Sequence, residues 1–289
     1  MLIIGYGALG RRVAALSLAQ GGAPWGLVRR PEAMADLGGQ GIPMILADLD
    51  QGLPPPLPSR ADTVLYLVPP PEAGQEDPRL GRVLEAFHRD GQPRRLVYIS
   101  TSGVYGDCGG AWIDETQPTA ATADRSLRRL DAERQVRDWA VASGGEWVIL
   151  RVAGIYGPGY LPLSRLRQGL PIVGAGEAPF TNRIHVDDLA RICLAALERP
   201  LTGEIINVCD GQPSTMADYF DRVADLAGLS RAPKISLAEA AERLSPGMLS
   251  YLRESRRIRN DKLRELLGVE LLYPDLELGL RASFAELAT

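Results

Sequence analysis

The first ten residues constrain this chain more than any other segment. Leu2-Ile3-Ile4 is a short apolar run, followed at once by Gly5-Tyr6-Gly7-Ala8-Leu9-Gly10 and a helical pattern from Ala8 to Gln20. A buried strand feeding a helix through a GxGxxG turn is the start of a dinucleotide-binding βαβ unit. Gly5 allows the tight turn, Gly7 lets backbone approach a pyrophosphate, and Gly10 lets the helix pack closely on the strand. The helix amino terminus offers free N–H groups and partial positive charge to phosphate. Gly5, Tyr6, Gly7, Ala8, Leu9 and Gly10 are therefore read as a cofactor clamp. The competing reading is a purely structural glycine-rich turn.

The same rhythm continues down the chain. Strands are expected at Trp25–Val28, Pro43–Ala47, Thr63–Val68, Arg95–Ser100 and Trp147–Leu150, with helices at Leu80–Arg89 and Ser126–Ala142. Nearly continuous apolar strands alternating with helices predict an α/β fold with a doubly wound parallel (Rossmann) sheet covered on both faces. Glycine and proline become frequent between Gly157 and Pro179, before a helix at Val186–Leu197 and a strand at Glu204–Cys209. Residues 1–158 with about 181–210 are expected to form the Rossmann domain. About 159–180 with 211–289 are expected to form a small C-terminal substrate lobe over the cleft.

Composition excludes several function classes. The 289 residues are 45% hydrophobic and carry a net charge of −4, with no extended Lys/Arg tract, so no nucleic-acid partner is expected. No 18-residue apolar run exists, and Met1–Ile4 is too short for a leader's apolar core, so no membrane partner is expected. Cys108, Cys193 and Cys209 stand apart, and His88 and His185 are the only histidines. No metal site is expected, and the thiols are read as reduced in a cytoplasmic protein.

The second strand ends at Val28 and Arg29-Arg30 follow, Arg29 lying 19 residues after Gly10. An NAD site usually places a carboxylate here for the ribose hydroxyls, whereas arginine matches the 2′-phosphate of NADP. NADP is therefore preferred over NAD, with Arg29 and Arg30 as its readers unless both are solvated surface charge. Asp48 is a candidate acceptor for the adenine amino group, and Leu67 and Val68 are candidates to flank the adenosine ribose.

Later segments carry a resemblance. Ile99-Ser100-Thr101-Ser102-Gly103-Val104-Tyr105-Gly106-Asp107, Asp114-Glu115 with Pro118, Leu150 to Gly159, and Ile184-His185-Val186-Asp187-Asp188 occur in that order. Together they resemble the extended short-chain dehydrogenase/reductases, which include the NAD-dependent epimerases and dehydratases of sugar nucleotides. The resemblance implies that Ala153, Gly154 and Ile155 lie against the nicotinamide and that Thr101 is the catalytic hydroxyl. It also implies a possible homodimer through the Leu80–Arg89 and Ser126–Ala142 helices.

The chain departs from that family where chemistry is done. The glycine pattern is one residue shorter than the usual GxxGxxG. Anchored on Glu133, the Tyr and Lys slots of the family's Tyr-x-x-x-Lys helix fall on Arg125 and Arg129, and no tyrosine occurs between Tyr105 and Tyr156. Arginine stays protonated, so it is a poor proton shuttle, but it can polarise a carbonyl, bind an anion or donate to the nicotinamide ribose. Tyr156 and Tyr160 are the candidate substitute acids, with core packing as the alternative. Tyr156, Arg183 and His185 are candidate substrate contacts, His185 with a structural alternative. Asp187 and Asp188 are read as helix-capping charges. Arg125, Arg128 and Arg129 are either cleft residues or one solvated helix face. Two functions follow: an NADP-dependent oxidoreductase or epimerase with a modified site, acting on a small-molecule hydroxyl or carbonyl, or a non-catalytic NADP-binding sensor or partner protein.

Overall fold

A computed structural model describes residues 1–37, 41–58 and 61–287. The expected substrate lobe's last two residues, 288 and 289, lie outside them. Seven parallel strands form one sheet: β1 (Leu2–Ile4), β2 (Trp25–Val28), β3 (Met44–Leu46), β4 (Thr63–Tyr66), β5 (Arg95–Thr101), β6 (Glu146–Val152) and β7 (Glu204–Val208). Their order is β7-β6-β5-β4-β1-β2-β3. The chain winds outwards in both directions from the β1–β4 pair, where Ile3 is in register with Leu65. That pair is the topological switch point, and a crevice opens beyond its carboxyl ends.

The period-2 alternation of the strands builds two cores. Ile3, Leu65, Val97, Val148 and Leu150 face one side, against α1 (Ala8–Ala19) and α6 (Val186–Glu198). Leu2, Ile4, Val64, Leu96 and Ile149 face the other, against α3 (Pro78–Asp90) and α4 (Asp124–Ser143). α3 starts where Asp77 accepts from the N–H groups of Arg79 and Leu80, with Pro78 in its first turn.

Most elements fall where the periodicity places them. β4 stops at Tyr66, two residues early, which leaves Leu67 and Val68 as the loop at the crevice. A short α2 (Pro31–Leu37) was not expected. The later helices are α5 (Leu163–Arg167), α7 (Met216–Leu226), α8 (Leu237–Arg243), α9 (Pro246–Leu252) and α10 (Leu276–Leu287). Leu166, Phe220, Val223 and Leu280 from three of them form a separate apolar cluster with Tyr156 and Ile172. Among the described residues no helix is long and apolar enough to cross a membrane.

Candidate cofactor cleft and substrate cavity

The glycine turn is built as its sequence requires. Gly5 has φ +95°, and a Cβ there would meet the Val68 nitrogen at 2.9 Å. A Cβ on Gly10 would press on Ile3 at 3.1 Å and on the Gly5 carbonyl at 3.2 Å. Gly7 is exposed, with no atom within 4 Å of a Cβ position. It is the N-cap of α1, makes no side-chain capping bond, and the first turn holds no acidic residue. A helix amino terminus with no carboxylate of its own leaves N–H donors and positive potential for an anion. These residues fit a dinucleotide pyrophosphate.

From this turn a cavity of about 490 Å³ runs over the ends of β2 and β3. Its wall includes Arg29, Arg30, Asp48, Leu67 and Val68, so the structure brings all the predicted adenosine-side residues together. Asp48 Oδ1 already accepts from the Asp50 N–H at 3.0 Å. Asp50 itself is held by Arg79 in two bonds of 2.6 Å, which lowers its carboxyl pKa. Arg29 touches Asp50 only at 3.9 Å and keeps a side chain that is 61% exposed. Arg30 beside it is exposed as well, so both cations can meet a phosphate.

A second cavity, about 590 Å³, lies over the ends of β5 and β6, and Pro69 lines both. Thr101, Arg125, Arg129, Ala153, Gly154 and Ile155 line it together, as does Arg183. Thr101 caps the Ser102–Tyr105 turn, its Oγ1 accepting from the Gly103 N–H at 3.1 Å. The hydroxyl proton is left to donate into the cavity. Behind Thr101, Glu133 is fully buried and accepts from Ser100 at 2.6 Å and from Arg151 at 3.0 and 2.8 Å. That pairing fixes the end of β5 against α4.

The Tyr and Lys slots are occupied differently from one another. Arg129 Nη1 donates to the Ile99 carbonyl at 2.8 Å and to the Tyr98 hydroxyl at 3.1 Å. Arg125 reaches across the cavity to Ser250 and Glu254 and lies 3.9 Å over the Tyr251 ring. Arg128, allowed as surface charge, is buried, with Nη1 on the Gly74 carbonyl at 2.7 Å.

Two expectations are corrected. Tyr156 does not face the cavity: its ring packs against His185 and Tyr219, and burial pushes its phenol far up in pKa. Gly154-Ile155-Tyr156 is a strand, so Tyr156 and Ile155 point to opposite faces. His185 is not a substrate contact: it is the buried N-cap of α6, accepting from Asp187 N and paired with Ser283 through Nε2 at 3.1 Å. Tyr160 does line the cavity. Asp187 pairs with Arg12 at 2.7 Å, and Asp188 accepts from the N–H groups of Leu272 and Tyr273.

Sequence reading missed Tyr251, Glu254 and Arg256, all of which line the cavity. They come from the charged tail, over a hundred residues beyond α4, where no local motif marks them.

A family model described as the NAD dependent epimerase/dehydratase family matches residues 80–209. A 3-diazoavenalumate denitrifying reductase from a Streptomyces species is 28% identical over 225 residues, 73% of each chain. A functionally unknown conserved protein from Silicibacter pomeroyi is 33% identical, with a TM-score of 0.80 over 99% of this chain and 98% of that one. The UDP-glucuronic acid 4-epimerase of Bacillus cereus, solved with NAD, is 19% identical with a TM-score of 0.75, over 99% of this chain and 98% of that one.

Proposed function

This chain belongs to the NAD-dependent epimerase/dehydratase family, and from that premise we propose that it is an NADP-dependent oxidoreductase acting on a small-molecule substrate, with proton transfer moved away from α4. The observation that carries this reading is the adjacency of the two cavities, one walled by the glycine turn and the other by Thr101 and Gly154, with Pro69 lining both. In it, Gly5–Gly10 hold the pyrophosphate, Arg29 and Arg30 read the 2′-phosphate, and Asp48, Leu67 and Val68 surround the adenosine. Ala153, Gly154 and Ile155 back the nicotinamide, which when bound supplies or accepts the hydride. Arg129 donates to its ribose, with Nη1 already anchored to Ile99 and Tyr98. Thr101 and Arg125 orient and polarise the substrate oxygen. The proton passes through a phenol of the cavity, Tyr251, which sits against Arg125.

The reductase relative supports a reaction of this kind. The parts of the chain at about 159–180 and 211–287 are read as the lobe that recognises the substrate. The test is hydride transfer followed at 340 nm over a panel of carbonyl, diazo and sugar-nucleotide substrates. NADP binding with no turnover on any of them would count against the enzyme reading.

One observation favours a second reading, a non-catalytic NADP-binding sensor. Arg125 and Arg129 are both engaged with neighbouring protein groups in the slots where the family does its chemistry. The double variant Arg125→Tyr, Arg129→Lys separates the two readings. Activity gained only in the double variant supports the sensor, and turnover by the unmodified protein ends it.

A further inference from the structure

The substrate cavity holds more positive charge than the protein neutralises. Five arginines line it, Arg125, Arg128, Arg129, Arg183 and Arg256, against two carboxylates, Glu72 and Glu254. Glu254 is spent on Arg125 and Arg256, at 3.3 and 2.9 Å. Glu72 is exposed at the Pro69–Pro71 rim. No carboxylate of the described residues comes within 4.0 Å of Arg128, Arg129 or Arg183.

Two of these three are nine-tenths buried, Arg128 at 7% and Arg183 at 9% exposure. In both, Nε is buried and has no hydrogen-bond partner among the described residues. The Arg183 guanidinium lies 3.9 Å over the Tyr219 ring and makes one side-chain bond, to Thr181 Oγ1 at 3.0 Å. Asp210 and Asp218 act on it only at longer range, and burial raises the Asp210 pKa to about 7, which weakens Asp210 as a counter-charge. Burying a guanidinium without an acid is costly, and it persists in folded proteins where a ligand or the fold compensates it. A fork held flat against an aromatic ring is oriented for a planar or tetrahedral oxyanion.

Resting on the reading of this cavity as the substrate half of the site, we propose that the substrate is a small organic dianion, its acidic groups bound by Arg183 and by the Arg128–Arg129 pair of α4. The shared chemistry is a compact oxyanion, a carboxylate or a phosphate monoester. The substituted Lys slot then serves recognition: α4 supplies anion-binding cations at Arg128 and Arg129, beside Arg125 in the Tyr slot.

The test is calorimetric titration of the full-length protein with succinate, with inorganic phosphate and with uncharged succinamide, in saturating NADP so that the cofactor's own phosphate sites are filled. Succinate or phosphate is expected to bind, and whichever binds more tightly identifies the source of the oxyanion. Succinamide is expected not to bind. Arg183→Gln is expected to weaken anion binding about tenfold or more, the loss of a charged hydrogen bond, with NADP affinity unchanged, and Arg129→Gln to weaken anion binding as much while also loosening the cofactor whose ribose it meets. Arg29→Gln is expected to leave anion affinity unaltered. Thermal melts establish that each variant is folded, and the two arginine positions give independent readings should one variant fail. Equal binding of succinamide, no binding of either anion, or full anion affinity in both cavity variants overturns the proposal. Absence of NADP binding overturns the cofactor reading instead, and the same anion titrations are then read on the protein alone.

Discussion

Arg125 on α4 donates to Glu254, 129 residues later in the chain, at 3.3 Å, and Glu254 accepts from Arg256 at 2.9 Å through its other oxygen. One nearly buried carboxylate thus pins the tail segment to the wall of the substrate cavity. Replacing Glu254 with alanine leaves two arginines facing each other without a counter-charge. A fully buried pair broken this way costs about 3–5 kcal/mol. The Arg125 side chain is 26% exposed, so screening reduces the expected loss to about 1–3 kcal/mol. Urea denaturation measures it, and NADP affinity should not change, because the glycine turn is not involved.

The adenosine end makes a prediction about cofactor choice. Arg79 neutralises Asp50, so Arg29 is left to the 2′-phosphate. Arg29→Ala should weaken NADP binding about tenfold, the worth of a charge-assisted bond, and leave NAD within about twofold. Raising the salt should narrow the gap between the two cofactors in the unmodified protein, since Arg29 is exposed and its interaction is screened. Equal losses for NAD and NADP would remove Arg29 from the recognition of the 2′-phosphate.

Tyr251 carries the proton in the proposed reaction, and Tyr251→Phe tests it with little disturbance of packing. The ring that stacks on Arg125 is retained and only the hydroxyl is removed. The expected outcome is a fall in kcat of about 10²-fold with KM little changed, the usual scale of a lost general acid. A variant with unchanged kcat would return the proton to Tyr160 or to solvent.

How much of this was legible beforehand depends on how local the signal is. The glycine turn, β1 and α1 could be read because strand, turn and helix each leave a periodic mark within twenty residues. Arg29 could be singled out because it directly follows a strand of the sheet, and Thr101 because the family resemblance marks the hydroxyl at the end of the fifth strand. For Tyr156 and His185 a cavity role and a structural one both stayed open, because nearness in sequence to the nicotinamide strand does not say which face a side chain takes. Ile155 lines the cavity, while Tyr156 turns into the cluster with Tyr219. α2 was missed because its seven residues are too few to show a helical period. Tyr251, Glu254 and Arg256 reach the cavity only through tertiary packing of the tail. Arg128 was open between a cleft residue and part of a solvated helix face, because only its tertiary surroundings, burial and a bond to the Gly74 carbonyl, distinguish the two.

The last prediction concerns Asp210, which sits beneath Arg183 at the end of β7. Its Oδ1 accepts from the Gln212 N–H at 2.8 Å, while Oδ2 is buried without a partner. Burial raises its pKa to about 7, against an unfolded value near 3.8. The folded protein therefore keeps a proton that the unfolded chain has released between about pH 4 and pH 7. Across that window the unfolded state binds fewer protons, so this residue's contribution to stability falls as pH rises, and it levels off above the folded value. Asp210→Asn fixes the neutral form. It should match the unmodified protein near pH 4 and exceed its stability at pH 8 by about 1–3 kcal/mol, on the order of the linkage expected from such a shift. His185 titrates in both proteins, its pKa lowered by burial, and so cancels in the difference between them. Urea denaturation of the two proteins at pH 5 and pH 8 provides the check. A stability difference that does not grow with pH would mean that Asp210 is already ionised in the folded protein at pH 5, leaving Arg183 with a full counter-charge beneath it.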